Sequence, residues 1–429
     1  MDKGFFMSFQ LVDTETSWCY NGFRGNEFER TATYGKDTAQ IMKYDFDHTL
    51  DHCKNGSYRW TQPYGKNNVL GMGTADMDYY CPPCLKEALS VVCEENTYNY
   101  RMKPDIYFQT IIGWYENKYS IKIEKEWLSN VPSTIGAIRL AIQLFSKKDD
   151  YVLMQTPHFT PLQTAIEGAG CHLLVNPMIL ENGTYRLDFQ DFEDKVKAYK
   201  PSVFLLVNPQ NPTGHVFSHE ELSKLADICW KYHVRIISDE VHSLILYDGN
   251  KHIPILGVSE KAMEISIQIV SMCKGFNMMS LPHAIITIAD KKIREAWEKL
   301  LLPYSFGYAS NSFSIAGVTA VMSGKADDWL KEVTSYLQNN RDILTNTIQK
   351  KGFPISPIKP EAGYLLWIDC RKSGVKAEEL GEYFLEKAGI SLNNGLEHGE
   401  AGKGFVRLNF AVTKSNLMLA LERIETLFK

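Results

Sequence analysis

Nowhere in its 429 residues does the chain hold an apolar stretch of the roughly 18 residues that a membrane-crossing helix needs. The start, Met1 to Phe9, has no basic segment followed by a long apolar run, so no secretory signal is expected. Positive charge is not in excess: 46 Lys and Arg against 51 Asp and Glu leave a net charge of −5. That balance argues against a nucleic-acid or anionic-membrane partner. The nine cysteines are scattered and odd in number, which excludes a regular disulfide framework and suits a reducing compartment. Cys81 and Cys84 form a lone Cys-Pro-Pro-Cys. It lacks the second pair of a zinc site and the flanking βαβ pattern of a redox motif, and it reads as the start of a helix. No metal is expected. Internal repeats and low-complexity linkers are also absent. A cytoplasmic location follows as the expectation.

The composition, 44% hydrophobic with 12% aromatic and 23% charged, is that of a globular protein with a large core, and the length suits two domains. Residues 1–42 are polar and aromatic with weak periodicity and read as an extension. From there the chain alternates short apolar runs with amphipathic stretches. Tyr151–Gln155, His172–Asn176, Ser202–Val207, Val234–Ser238, Ile267–Ser271 and Ala284–Ile288 are continuous and rich in Val, Ile and Leu, as strands buried on both faces should be. Gly136–Ser146, Thr160–Gly168 and Ser218–Tyr232 read as helices between them, the last opened by a capping-box pattern at Ser218-His-Glu-Glu221. This alternation predicts an α/β fold with a mostly parallel sheet covered by helices. From about residue 325 the pattern changes. A long helix over Trp329–Gln349, a turn over Gly352–Pro357, strands over Tyr364–Asp369 and Phe405–Phe410, and helices over Ala377–Lys387 and Lys414–Phe428 predict a smaller α/β domain. The expected division is 43–84 as a segment packing on the small domain, 85–324 as the large domain and 325–429 as the small one.

Ligands of an open α/β sheet bind beyond the carboxyl ends of its strands, so the polar residues at those ends are the candidates. Lys274 follows a strand among Met272, Phe276, Met278 and Met279. Such surroundings desolvate an amine and favour its neutral form, which imine formation requires; a solvated loop lysine is the plainer reading. Ser271 could reach a phosphate from the same turn. Asp239, ending a strand, either caps the next segment or stands as a fixed anion beside a pyridine nitrogen. Asn211, in Asn208-Pro-Gln-Asn-Pro-Thr-Gly214, lies either in a simple turn or in a rigid loop that aims its amide at a ring oxygen. Ser133-Thr134-Ile135 opens a helix, as an ordinary cap or as a phosphate cradle. Arg407, amid apolar residues, needs a partner, either a protein carboxylate or a substrate's.

Several motifs stand in order along the chain: Tyr44-Asp-Phe-Asp47, Ala75-Asp-Met-Asp78, Gln155-Thr-Pro157, the Asn208–Gly214 loop, Ser238-Asp-Glu-Val-His242 and Gly404-Phe-Val-Arg-Leu-Asn-Phe-Ala411. From about Tyr44 to the C-terminus the sequence resembles the class I/II pyridoxal 5′-phosphate (PLP)-dependent aminotransferase superfamily, fold type I. Within it, the sequence is similar to the cystathionine β-lyase and C–S lyase branch (MalY/PatB-like). The resemblance implies PLP as cofactor, with Lys274 as the Schiff-base lysine and Asp239 as partner of the pyridine nitrogen. It implies Asn211 at the ring hydroxyl, and Ser271 with the backbone around Thr134 and Ile135 at the phosphate. Arg407 would bind the substrate carboxylate, His242 would sit near the cofactor and Phe159 would stack on its ring. Tyr100 would enter the partner's site in a homodimer, as a proton donor to the leaving sulfur. The implied reaction is β-elimination from a cysteine-type amino acid, with Lys274 as the base, giving pyruvate, ammonia and a thiol. Transamination shares the same early steps and is the alternative. A non-catalytic protein keeping the fold is a third reading, opposed by Lys274, Asp239, Asn211 and Arg407 occurring together.

The chain also departs from the branch. Phe159 stands where a Tyr is usual, and Gly73 and Thr74 precede Ala75 where a Trp is usual. The lysine turn reads Met-Cys-Lys-Gly instead of a Ser-rich run. Pro282 and His283 lie where many aminotransferases carry a phosphate-binding Arg.

Overall fold

A computed structural model describes residues 42–61, 68–304 and 311–429. The expected extension over 1–42 therefore lies, but for Met42, outside the described residues. Residues 43–429 form one compact unit.

Its centre is a seven-stranded sheet of β1 (Leu128–Val131), β2 (Tyr151–Thr156), β3 (His172–Pro177), β4 (Val203–Val207), β5 (Arg235–Asp239), β6 (Ser266–Val270) and β7 (Ala284–Thr287), in the order β1-β7-β6-β5-β4-β2-β3. Five strands from β6 to β3 pair in parallel, and β7 runs antiparallel to both its neighbours. The apolar runs are continuous because both faces are covered. Leu153, Phe204, Leu206 and Ile236 enter one core cluster, while Val152, Met154, Val203, Leu205 and Ile237 enter another across the sheet. Helices α1 (Thr134–Phe145) and α2 (Thr160–Gly168) pack on the second face. Helix α3 (His219–Lys231) covers the first, opened by the Ser218–Glu221 capping box in full.

Four residues, Cys273–Phe276, form α4 just after β6. Farther on, the long α5 (Asp327–Lys351) precedes an antiparallel sheet of β8 (Ser356–Ile358), β9 (Leu365–Asp369), β10 (Asn393–Asn394) and β11 (Phe405–Asn409), ordered β8-β9-β11-β10. Two sequence expectations shift. Part of the turn expected over Gly352–Pro357 is strand β8. The single helix expected over Ala377–Lys387 is wound in three pitches, 3-10 over Ala377–Glu379, α over Leu380–Tyr383 and π over Phe384–Ala388, ending at left-handed Gly389. Cys84, by contrast, sits buried in a helix over Pro83–Glu95, as the Cys-Pro-Pro-Cys reading expects.

Candidate functional site

The polar residues collect at the carboxyl end of the parallel strands. β5 ends on Asp239, β6 leads into Ser271 and Lys274, β4 into Asn208 and Asn211, β2 into Phe159, and β1 into Ser133.

Two neighbouring carboxylates, Asp239 and Glu240, are both buried and are treated very differently. Glu240 is saturated with donors: Ser238 Oγ at 2.8 Å, Ile255 N at 2.9 Å, Gln268 Nε2 at 2.6 Å, and His252 Nε2 in contact at 2.7 Å. It is a finished structural group. Asp239, 6% exposed, accepts only from Val241 N, at 3.3 Å. Burial pushes its carboxyl up to about 7; the Val241 N–H and the Lys274 charge pull it back. The single backbone bond is the capping role, and it leaves most of the carboxylate unsatisfied. A buried anion with one weak donor asks for a cation.

Lys274 lies in α4 with its Nζ donating to the Ala75 carbonyl at 2.7 Å. It is not a solvated loop lysine. Burial, then the Arg407 charge, lowers its amine to about 8. The backbone passes so close here that a Cβ on Gly275 would stand 2.3 Å from Leu244 Cδ1, which accounts for glycine after the lysine. His242 is buried and held down to about 3, first by burial and then by Lys274 and Arg407, so it is neutral.

Arg407, 4% exposed, comes from β11 in the smaller sheet. Its Nη1 donates to Asn211 Oδ1 at 3.2 Å, and its Nη2 to Gly73 O at 3.3 Å and Asn393 Oδ1 at 2.7 Å; its Nε has no partner. No carboxylate among the described residues lies within ion-pair distance of it. Arg341, the buried arginine of α5, is held instead by Asp248 and Asp342, at 2.9 and 2.8 Å. The protein-carboxylate alternative therefore fails for Arg407. Burial lowers its guanidinium to about 10, with Glu397 pulling it back up. Because Asn211 spends its carbonyl oxygen on Arg407, its amide Nδ2 is the group left to meet a ligand. The loop carrying it is braced by Gln210, whose Nε2 donates to Pro157 O at 2.6 Å and whose Oε1 accepts from Thr213 N at 2.9 Å.

Ser271 Oγ donates to His283 O at 2.8 Å and accepts from Cys273 N at 3.3 Å. Ser133 caps α1 through Gly136 N at 3.1 Å, and the first turn of α1 holds no acidic residue, so the backbone amides at Thr134 and Ile135 face an open helix N-terminus. Phe159 precedes α2 and is half-buried. Tyr100 stands apart: it is 86% exposed and meets none of these groups within the chain.

Several residues that hold the site were not marked in the sequence. Asn409, two residues from Arg407 on the same face of β11, donates through Nδ2 to Thr74 O at 2.6 Å and Asp76 O at 2.7 Å. Asn277, left-handed at the end of α4, donates to Met77 O at 3.0 Å and Tyr79 O at 2.9 Å. The Ala75-Asp-Met-Asp78 motif is thus a strap tied to both the lysine turn and the smaller sheet. Tyr364 completes the ties at Ala75. The spacing Ser271-x-x-Lys274-x-x-Asn277 was the one available signal for Asn277.

The site groups a buried carboxylate, a free amide, an open helix N-terminus and a desolvated amine. These would suit the ring nitrogen, ring oxygen, phosphate and aldehyde of PLP. The model for aminotransferase class I and II matches residues 67–424. The chain is 30% identical to cystathionine beta-lyase PatB of Bacillus subtilis over 384 residues, covering 89% of this chain and 99% of that one. Cystalysin from Treponema denticola, whose crystal structure contains PLP, superimposes with a TM-score of 0.86 at 26% identity, covering 90% of this chain and 99% of that one. The PLP-bound C–S lyase from Staphylococcus hominis gives 0.84 at 25% identity, with the same coverage. On these matches and this architecture, the chain belongs to the class I and II aminotransferase family, in its C–S lyase branch.

Proposed function

We propose that the chain is a PLP-dependent carbon–sulfur lyase that converts cystathionine or a related cysteine-type amino acid into pyruvate, ammonia and a thiol. The observation that carries this reading is a buried guanidinium without a carboxylate partner among the described residues, close to a desolvated amine and to a buried carboxylate with one weak donor. When bound, the cofactor supplies an electron sink conjugated with the substrate's α-carbon. Asp239 would keep the ring nitrogen protonated, Asn211 Nδ2 would donate to the ring oxygen, and Phe159 would stack on the ring. The amides at the start of α1 would hold the phosphate, with Ser271 joining them once its hydroxyl turns from His283 O. Arg407 would bind the substrate carboxylate through its unpartnered Nε and an Nη2 N–H given up by the Gly73 carbonyl, and so fix which bond at Cα faces the amine. Lys274 then takes the α-proton on Nζ. His242, neutral and buried, adds shape without charge. We infer that Arg407 and the strap belong to a smaller domain, 325–429, with 43–84 packing on it, beside the larger one, 85–324.

The test is to mix the holoenzyme with cystathionine or an S-alkyl cysteine and assay pyruvate. Pyruvate and thiol in equal amounts, without any added 2-oxo acid, are the expected result. Turnover that needs a 2-oxo acid and yields no pyruvate would assign the chain to transamination.

We also infer a homodimer in which Tyr100 serves the partner's site. Tyr98, Tyr100 and Met102, at 61, 86 and 91% exposed, make an apolar run that a single chain leaves uncovered. The expected solution mass is that of two chains. Inactive Lys274→Ala and Tyr100→Ala chains, mixed and reassociated, should recover about a quarter of full activity, because half of the random dimers carry one intact site. A monomeric mass, or no recovery on mixing, overturns the shared site.

A further inference from the structure

The strap from Gly73 to Tyr79 has its carbonyls taken up one after another by side chains. Arg407 holds Gly73 O, Asn409 holds Thr74 O and Asp76 O, and Asn277 holds Met77 O and Tyr79 O. Ala75 O receives two donors of another kind: Lys274 Nζ at 2.7 Å and the Tyr364 hydroxyl at 3.2 Å. The same hydroxyl lies 3.3 Å from the backbone oxygen of Lys274. Tyr364 is 1% exposed and enters β9 just after Gly363, whose φ of +72 sets the approach.

We propose that Tyr364 is a positioning residue for Lys274, holding the Ala75 carbonyl as the docking point of the lysine amine whenever that amine is free. The proposal rests on Lys274 as the proton acceptor of the reading above. A neutral amine that donates one N–H to a carbonyl keeps its lone pair turned away from that carbonyl, toward the pocket and the substrate's α-proton. The carbonyl oxygen has two lone pairs. With one occupied by Tyr364, the oxygen is a poorer acceptor for an ammonium, so the hydroxyl favours the neutral amine. The other charged and titratable groups around this amine are Arg407 from β11, Asp76 from the strap, Cys273 from its own turn, Asp239 from β5 and His242 just beyond β5. Arg59 also faces the tyrosine. A change at the Tyr364 hydroxyl leaves all six in place.

Tyr364→Phe removes the hydroxyl and keeps the ring. The expected result is an acid limb of kcat moved up by about half to one pH unit, with kcat at pH 7 down roughly 3- to 9-fold and KM within about two-fold. A second readout needs no amino acid: cofactor-free protein is mixed with PLP, and the growth of its visible band is followed against pH. Its acid limb should move up equally. Replacing Tyr364 by 3-fluorotyrosine, a stronger donor of the same shape, should move both limbs down, and it covers the case in which the Phe variant folds poorly. Limbs that stay in place in both variants overturn the proposal, even if the melting temperature falls. Moved capture limbs in a protein that makes no pyruvate would leave it standing and remove the lyase reading instead.

Discussion

Lys274→Ala should leave a folded protein that makes pyruvate at least roughly 1,000-fold more slowly than the parent, because the substitution removes both the anchoring amine and the α-proton acceptor. General-base assistance alone contributes roughly 10²- to 10⁴-fold. The fold should survive. The Nζ bond to Ala75 O is replaced at the same oxygen by Tyr364, and a buried amine that needed desolvation is gone. The checks are a melting curve close to the parent's, no visible absorbance on adding PLP, and partial recovery of turnover with a small external amine such as methylamine. A variant that keeps more than about a tenth of the parent rate would remove Lys274 from the chemistry. The parent's pH dependence follows from the same group. An amine lowered to about 8 is protonated and idle below that value and neutral above it, so turnover should rise with pH and level off past about 8. Its ordinary value would put the rise beyond pH 10.

Such single-residue readings came from local sequence, and so did most of the larger sheet. Strands buried on both faces are written as unbroken Val, Ile and Leu, and six of the seven were legible. The seventh, Leu128–Val131, is a half-buried edge strand whose centre is Ser129-Asn130, so it offers no such run. Asp239 and Lys274 were legible because each follows its strand directly. The nature of Arg407 was not. Arg341 and Arg407 are both buried, but Arg341 finds its neighbour Asp342 and, 93 positions away, Asp248, while Arg407 finds amides brought to it by the fold. Tyr364 read as one more strand residue. Its meaning depends on Ala75, 289 positions away, and on a lysine turn from a different sheet. Residues whose role is to hold another group carry no local signature, because the group they hold is brought to them by the topology.

Arg407→Ala should lower kcat/KM for an S-alkyl cysteine by roughly 100-fold, most of it in KM. Two charge-assisted hydrogen bonds to a carboxylate, at about 1.5 kcal/mol each, amount to about 3 kcal/mol, and each 1.36 kcal/mol is tenfold. Arg407→Lys should recover only a small part. A single ammonium cannot reach Asn211 and Asn393 and still present two parallel donors to the substrate. The sharper check is discrimination between an S-alkyl cysteine and the matching S-alkyl cysteamine, which lacks the carboxylate. The parent should strongly prefer the amino acid, and Arg407→Ala, compared at a pH above the acid limb, should erase the preference by losing rate only on the carboxylated substrate. A second consequence separates charge from shape. The guanidinium is the largest charged influence lowering the Lys274 amine, so its removal should move the acid limb of turnover upward, whereas the lysine variant should hold the limb near the parent's position. If Arg407→Ala leaves KM and the preference unchanged, the substrate carboxylate is bound elsewhere, and the unpaired guanidinium of β11 serves only to depress the amine across the pocket.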